Sequence, residues 1–289
     1  MLSVDFDGRS VAYQRRGEGP SLVLLHGFTQ DSRVWRPQLE ALSDAFDVIA
    51  WDAPGAGCSF DPLETFGIED WARSLERFLD LIGVEQGHVL GLSWGGLLAQ
   101  VLYGRDPGRI ASLVLAGTYA GWKGSLPEPV PQERLDACLH DSRLPPAEFV
   151  PRYLPGMFGP SPGADAAEEL AAVMSDFHPL GFRLMAKALA EADTRDLLPQ
   201  IRVPTLLIWG DEDARSPLDV AEQFRTAIPE ARLEVIRGAG HVSNLEAPDA
   251  FNAALREFLL CGGGGRPFGR PPVVRIYLSE TSSIRKLVG

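Results

Sequence analysis

Residues 88–102 read HVLGLSWGGLLAQVL, and the order of residue types is that of a strand, a tight turn and a helix. Val89 to Leu92 is an apolar run of strand length. Ser93 follows, with glycine two positions away on either side, at Gly91 and Gly95. Leu97, Leu98, Val101 and Leu102 then recur at helical spacing. A serine at a sharp strand-to-helix bend needs small neighbours so that the backbone can fold back. Such a bend exposes the hydroxyl and points the next backbone N–H, that of Trp94, at an oxygen approaching it. A G-x-S-x-G string alone is common, but this strand–turn–helix setting makes Ser93 a candidate nucleophile.

Outward from this stretch, short β-branched runs alternate with amphipathic helices, which predicts an α/β class with a mostly parallel sheet and helices on both faces. Ser3–Phe6 and Val11–Gln14 flank the turn signal Asp7-Gly8. Buried-strand candidates follow at Leu22–Leu25, Val48–Trp51, His88–Leu92, Ser112–Ala116, Thr205–Trp209 and Leu233–Ile236. Helical spacing is clear at Trp35, Leu39 and Leu42, stronger over Ile68, Trp71, Leu75, Phe78, Leu79 and Ile82, and present again at Phe251, Leu255, Phe258 and Leu259. Residues 119–199 break the alternation: they are proline-rich, with helical patches and no convincing strand. That is too long for a strand-to-strand connection, so an inserted helical lid is expected between core segments 1–118 and 200–261. Residues 262–289 start with four glycines, carry Arg266, Arg270, Arg275, Arg285 and Lys286 against Glu280, and contain Pro267, Pro271 and Pro272. This basic tail is expected to be a disordered or expression-derived appendage outside the fold, the alternatives being an edge strand or a docking segment.

The chain has 289 residues, 45% hydrophobic and 23% charged, values of an ordinary globular protein. A net charge of −12 argues against nucleic-acid binding, which needs a basic footprint. No apolar run approaches the ~20 residues that span a bilayer, and Asp5 and Asp7 stand where a leader would be basic or apolar. Cys58, Cys138 and Cys261 are scattered and odd in number, which predicts free thiols and a cytoplasmic setting. No metal-ligand spacing and no dinucleotide fingerprint is visible, so neither metal nor cofactor is expected.

A serine hydroxyl needs a base, and the base an orienting carboxylate, in the chain order Ser, Asp, His. His241, in Gly238-Ala239-Gly240-His241 after a strand, is the candidate base. The acid lies in Trp209-Gly210-Asp211-Glu212-Asp213. Alternation lets Asp211 and Asp213 both point inward; the room needed to turn past the strand end favours Asp213. The turn after Leu22–Leu25 is His26-Gly27-Phe28-Thr29, which predicts the Phe28 N–H as second oxyanion donor beside that of Trp94, with His26 bracing the turn. Trp122, Met157, Phe158, Phe177 and Phe182 are candidate pocket residues, with Phe28 and Leu180 beside them, although packing alone explains each as well. Lys123 could meet a substrate carboxylate but reads better as solvated.

Together His26-Gly27, residues 52–59 (DAPGAGCS), the Ser93 elbow, Gly210 to Asp213 and Gly240-His241 resemble the α/β-hydrolase superfamily, in its lidded serine-hydrolase branch, over roughly residues 2–260. The resemblance implies an acid three residues after the glycine, which supports Asp213, and makes residues 52–59 a structural turn. Small carboxylesterases and 3-oxoadipate enol-lactonases look similar. Haloalkane dehalogenases and epoxide hydrolases share the tryptophan after the nucleophile, but they need an aspartate in place of Ser93. The expectation is therefore a serine hydrolase of a small, largely apolar ester or lactone, acting through an acyl-enzyme, with neither nucleic acid nor membrane as partner. The alternatives are the same triad in a lyase, acyltransferase, C–C hydrolase or aminopeptidase, or a receptor of hydrolase fold.

Overall fold

The computed structural model describes residues 1–262 and 274–278. Strands β1 (Leu2–Phe6) and β2 (Arg9–Arg16) form the expected hairpin, followed by β3 (Ser21–Leu25), α1 (Arg36–Leu42), β4 (Asp47–Trp51), α2 (Ile68–Leu81), β5 (Gly87–Leu92), α3 (Trp94–Arg105) and β6 (Ile110–Ala116). The lid contributes α4 (Trp122–Ser125), α5 (Val130–Asp141), α6 (Pro146–Tyr153), α7 (Ala164–Ser175) and α8 (Pro179–Glu191). The core resumes with β7 (Thr205–Gly210), α9 (Leu218–Ala227), β8 (Arg232–Arg237), α10 (Ser243–Glu246), α11 (Pro248–Gly262) and β9 (Val274–Leu278).

The sheet runs β1-β2-β4-β3-β5-β6-β7-β8-β9. It is antiparallel at β1–β2 and β2–β4 and parallel from there on. Strands β4 and β7 are buried at every residue, and β3, β5 and β6 nearly so. That is the cost-free state of a continuous apolar strand covered by helices on both faces. From β3 the chain crosses outward to β4, then returns past β3 to β5. Right-handed crossovers running in opposite directions put their helices on opposite faces, so α1 and α2 are separated by the sheet; α1 packs on α11, and α2 on α3. The helix α2 buries Trp71, Ala72, Leu75, Phe78 and Leu79 along one stripe, and its start is closed by the Asp70 carboxylate accepting the Gly67 N–H at 2.8 Å. The reversal between β3 and β5 opens a crevice at the carboxyl ends of these strands, where ligands bind in open α/β sheets.

One expectation is corrected at the far edge. Val274–Leu278, assigned with the tail to the outside of the fold, pairs in parallel with β8 in the register Leu233↔Val274 to Arg237↔Leu278. Arg275 there forms an ion pair with Glu257 of α11. The edge-strand alternative therefore holds for this segment. Pairing with a strand some forty residues earlier leaves no local periodicity to read. Residues 263–273 and 279–289 and the Cys261 side chain lie outside the described residues; Cys58 and Cys138 are free thiols. Among the described residues no helix is long and apolar enough to cross a membrane.

Candidate active site

Ser93 sits at the crevice, between β5 and α3, with φ 54° and ψ −115°. A non-glycine residue there is strained by ~1–3 kcal/mol and stays only where its surroundings enforce it. The enforcement is steric. A Cβ on Gly91 would lie 2.2 Å from the Gly95 carbonyl oxygen, and one on Gly95 would lie 2.1 Å from that of Leu25. The bend is pinned by the Ser93 N–H donating to Ala116 O at 2.9 Å and by the Thr118 hydroxyl donating to Ser93 O at 2.6 Å.

The two aspartates left open by the sequence occupy different places. Asp213 is buried, and its Oδ2 lies 2.9 Å from His241 Nδ1, with Oδ1 at 3.1 Å. The same Oδ1 accepts the N–H groups of Arg215 and Ser216, each at 2.8 Å. Asp211 is exposed and accepts the Gly238 N–H at 2.6 Å, tying the loop after β7 to the end of β8. Gly117, not singled out from the sequence, has φ +47°, and a Cβ on it would come 3.1 Å from Asp213 Oδ2 and 3.3 Å from His241 Nδ1. Its only signal was a glycine directly after a strand.

The His241 loop is held from below by Glu246 of α10, another residue the sequence did not flag. Its carboxylate accepts the Gly240 N–H at 2.6 Å and the Gly159 N–H of the lid at 3.0 Å. Burial raises its pKa, against the lowering effect of those two bonds. His26 has the bracing place expected of it. Its Nε2 accepts the Ala53 N–H at 3.1 Å, so Nδ1 carries the proton and donates to Gly27 O at 2.7 Å. Full burial pushes its pKa down and keeps it neutral. Residues 52–59 form the anticipated turn: Asp52 accepts the N–H groups of Ser32 and Cys58, and the Ser59 hydroxyl donates to Asp52 O. Trp94 begins α3, and the first N–H groups of a helix have no intrahelical acceptor. Phe28 lies in the turn after β3, beside Thr29 at φ 65°.

A cavity of about 250 Å³ is walled by both Ser93 and His241. Of the expected pocket residues, Phe28, Trp122 and Met157 line it. Phe158, Phe177 and Phe182 do not. Phe177 and Phe182 pack with Phe149 into an aromatic cluster with centroids 4.6–5.6 Å apart, and Phe158 packs its backbone under Gly240. Phe182 also stacks on Phe28 at 5.3 Å, so these rings pack the lid and seat it on the core, a role helical spacing cannot distinguish from that of a ligand wall. Lys123 is exposed and not among the lining residues. The cavity has a polar side that the sequence did not suggest, formed by Tyr119, Arg134, Asp141, Arg152 and Arg215. Burial pushes the Tyr119 phenol up to about 12 and the Cys138 thiol, also in the wall, up to about 11. Among the described residues no group of three or more His, Cys, Asp or Glu side chains could hold a metal ion.

The crossover reversal, the strained serine and the Asp213–His241 pair define a class, and the family comparison agrees: residues 20–137 and 184–248 match the model of the alpha/beta hydrolase fold. The chain belongs to the alpha/beta hydrolase family. It is 31% identical over 258 residues, 86% of this chain and 94% of the relative, to a putative carbamate hydrolase RutD of Azorhizobium caulinodans. It is 30% identical over 257 residues, 85% of this chain and 97% of the relative, to a pimeloyl-[acyl-carrier protein] methyl ester esterase of Vibrio campbellii. Among solved structures, the enol-lactonase from Burkholderia xenovorans LB400 superposes with a TM-score of 0.81 at 26% identity, over 90% of this chain and 100% of that one.

Proposed function

We propose that this protein is a serine hydrolase that cleaves small carboxylic esters or lactones through an acyl-enzyme. The observation that carries the proposal is the 2.9 Å contact of Asp213 Oδ2 with His241 Nδ1, in a cavity whose wall includes the strained Ser93. Relatives named for carbamate, methyl ester and enol-lactone substrates support it, since each of those bonds opens by attack at an acyl carbonyl.

In this mechanism the Ser93 hydroxyl oxygen attacks the carbonyl carbon while His241 Nε2 takes its proton. Asp213 holds Nδ1–H, which keeps Nε2 unprotonated in the resting state and stabilises the imidazolium as it forms. The Phe28 and Trp94 N–H groups bind the oxyanion, and losing one such donor costs ~3–4 kcal/mol in other hydrolases. Collapse expels the alkoxide, which takes the proton from His241. Water then attacks the acyl-enzyme, giving its proton to His241 and returning Ser93 as the acid leaves. A substrate ammonium, as an aminopeptidase requires, would meet three guanidiniums against one carboxylate on the cavity wall, which disfavours that alternative.

The test is multiple-turnover release of acid from p-nitrophenyl esters. Butyrate should outpace dodecanoate, because a cavity of about 250 Å³ is below the ~300–1,000 Å³ of drug-sized sites. Ser93→Ala should remove turnover and the acyl adduct seen by mass spectrometry. A folded Ser93→Ala protein with wild-type kcat would overturn the proposal.

A further inference from the structure

The cavity beside Ser93 carries a charge that the ester chemistry does not use. Arg152 stands 3.4 Å from Asp141, so that pair is matched. Arg134 of α5 and Arg215, two residues past Asp213, are not: among the described residues neither has an ion-pair partner. Both side chains are held by neutral oxygens. Arg134 donates from Nη1 to the Tyr119 hydroxyl at 3.0 Å and from Nη2 to Arg215 O at 3.1 Å. Arg215 donates from Nε to Gly156 O at 3.3 Å and from Nη2 to Tyr153 O at 3.1 Å, and it lies 4.4 Å over the Tyr153 ring. A guanidinium has five N–H donors, so each keeps donors beyond these bonds.

Among the described residues, the one carboxylate of the wall, Asp141, is the ion-pair partner of Arg152, which leaves Arg134 and Arg215 without a counter-anion. The Tyr119 phenol and the Cys138 thiol are held neutral by burial, and Asp213 is committed to His241 and two backbone N–H groups. A partly buried, oriented, unpaired guanidinium is expensive to keep, and the chain as a whole carries −12. The planar fork of arginine matches a carboxylate with two parallel hydrogen bonds.

We infer that the substrate carries a second, free carboxylate besides the acyl group that reacts, and that Arg134 and Arg215 bind it, making this pocket selective for short half-esters or lactone acids over neutral esters. This rests on the hydrolase proposal for Ser93 and replaces the apolar acyl or alcohol wall expected from the sequence. Phe28, Trp122 and Met157 line the rest of the cavity, as the intervening methylenes of a short dicarboxylic chain would require.

The test compares monomethyl glutarate with dimethyl glutarate, which differ in one charge and one methyl group. Wild type should favour the half-ester in kcat/KM by about 10- to 100-fold, the value of a charged hydrogen-bond pair, and the preference should shrink as salt is raised. Arg134→Met should abolish that ratio, and Arg134→Lys should restore part of it. Calorimetric titration of glutarate into Ser93→Ala supplies a readout independent of turnover: glutarate should bind, and Arg134→Met should remove the binding. Equal use of both esters with no glutarate binding overturns the inference and leaves the esterase standing. An equal fall for both esters in Arg134→Met, as a purely structural tie would give, also overturns it. Arg134-dependent glutarate binding without turnover of either ester upholds the anion site and rejects the hydrolase proposal.

Discussion

At Asp213 and Asp211 the residue scale is separable by experiment, because the two carboxylates lie two positions apart yet touch different groups. Asp213 accepts two backbone N–H bonds and faces His241, whereas Asp211 accepts one N–H at the exposed end of β8. Asparagine at 213 keeps the shape but presents an amide that no longer holds the Nδ1–H tautomer. The loss in kcat should be of order 10⁴, the size seen for the same change in a serine protease. Asp211→Asn removes at most one loop bond, worth ~1 kcal/mol, and should cost roughly tenfold or less. Steady-state kinetics on one p-nitrophenyl ester decides it; the reverse order would move the acid to Asp211.

Among the elements, the lid is packed around an aromatic cluster that continues into the main core through Phe182 stacked on Phe28. Phe149 is fully buried and packs on Tyr153, Phe177 and Phe182 at centroid distances of 4.6–5.3 Å, joining α6 to α8. Ion pairs between lid and core, among them Arg33–Asp176, Arg36–Glu169 and Arg183–Glu64, are partly exposed and worth ~0–1 kcal/mol each. The aromatic cluster therefore dominates. Phe149→Ala should cost ~3–5 kcal/mol, felt first in the lid. Hydrogen exchange should then rise across residues 130–191 while β3 to β7 keep their protection. Uniform loss of protection in lid and sheet would mean that the two unfold as one unit.

Across the whole molecule, β9 completes the sheet and buries Glu234 of β8. Its Oε2 has no hydrogen-bond partner, and Arg275 stands 3.9 Å from Oε1. Burial raises the carboxyl from 4.5 to about 7, with Arg275 opposing the rise. A folded-state value above the unfolded one means that the fold binds this proton more tightly. The associated stability is complete below about 4.5 and is lost as pH climbs through about 7. Glutamine imitates the protonated acid, and Arg275 retains Glu257. Glu234→Gln should therefore match wild type near pH 5 and melt a few degrees higher at pH 8, with ~3 kcal/mol as the ceiling. A gap in Tm that is flat with pH would show that Glu234 does not titrate in this range.

The local text of the chain determined every element whose signal is contained within itself. The strands from β3 to β7 are largely apolar runs, α2 is a stripe at helical spacing, and the Ser93 bend is dictated by Gly91 and Gly95, since Cβ atoms there would strike backbone. The positions of Ser93 and of the brace His26 directly after strands, and of His241 in the loop after β8, were legible for the same reason. Three things waited for tertiary structure. Asp211 and Asp213 share strand parity, and only the position of His241 relative to β7 separates them. β9 pairs with a strand some forty residues back, a contact with no period in sequence. The aromatic rings of the lid turned inward on one another while Arg134 and Arg215 turned toward the cavity. Amphipathic spacing reports which side of a helix is apolar; whether that side meets a neighbouring helix or a substrate depends on how α5, α6 and α8 pack over the crevice.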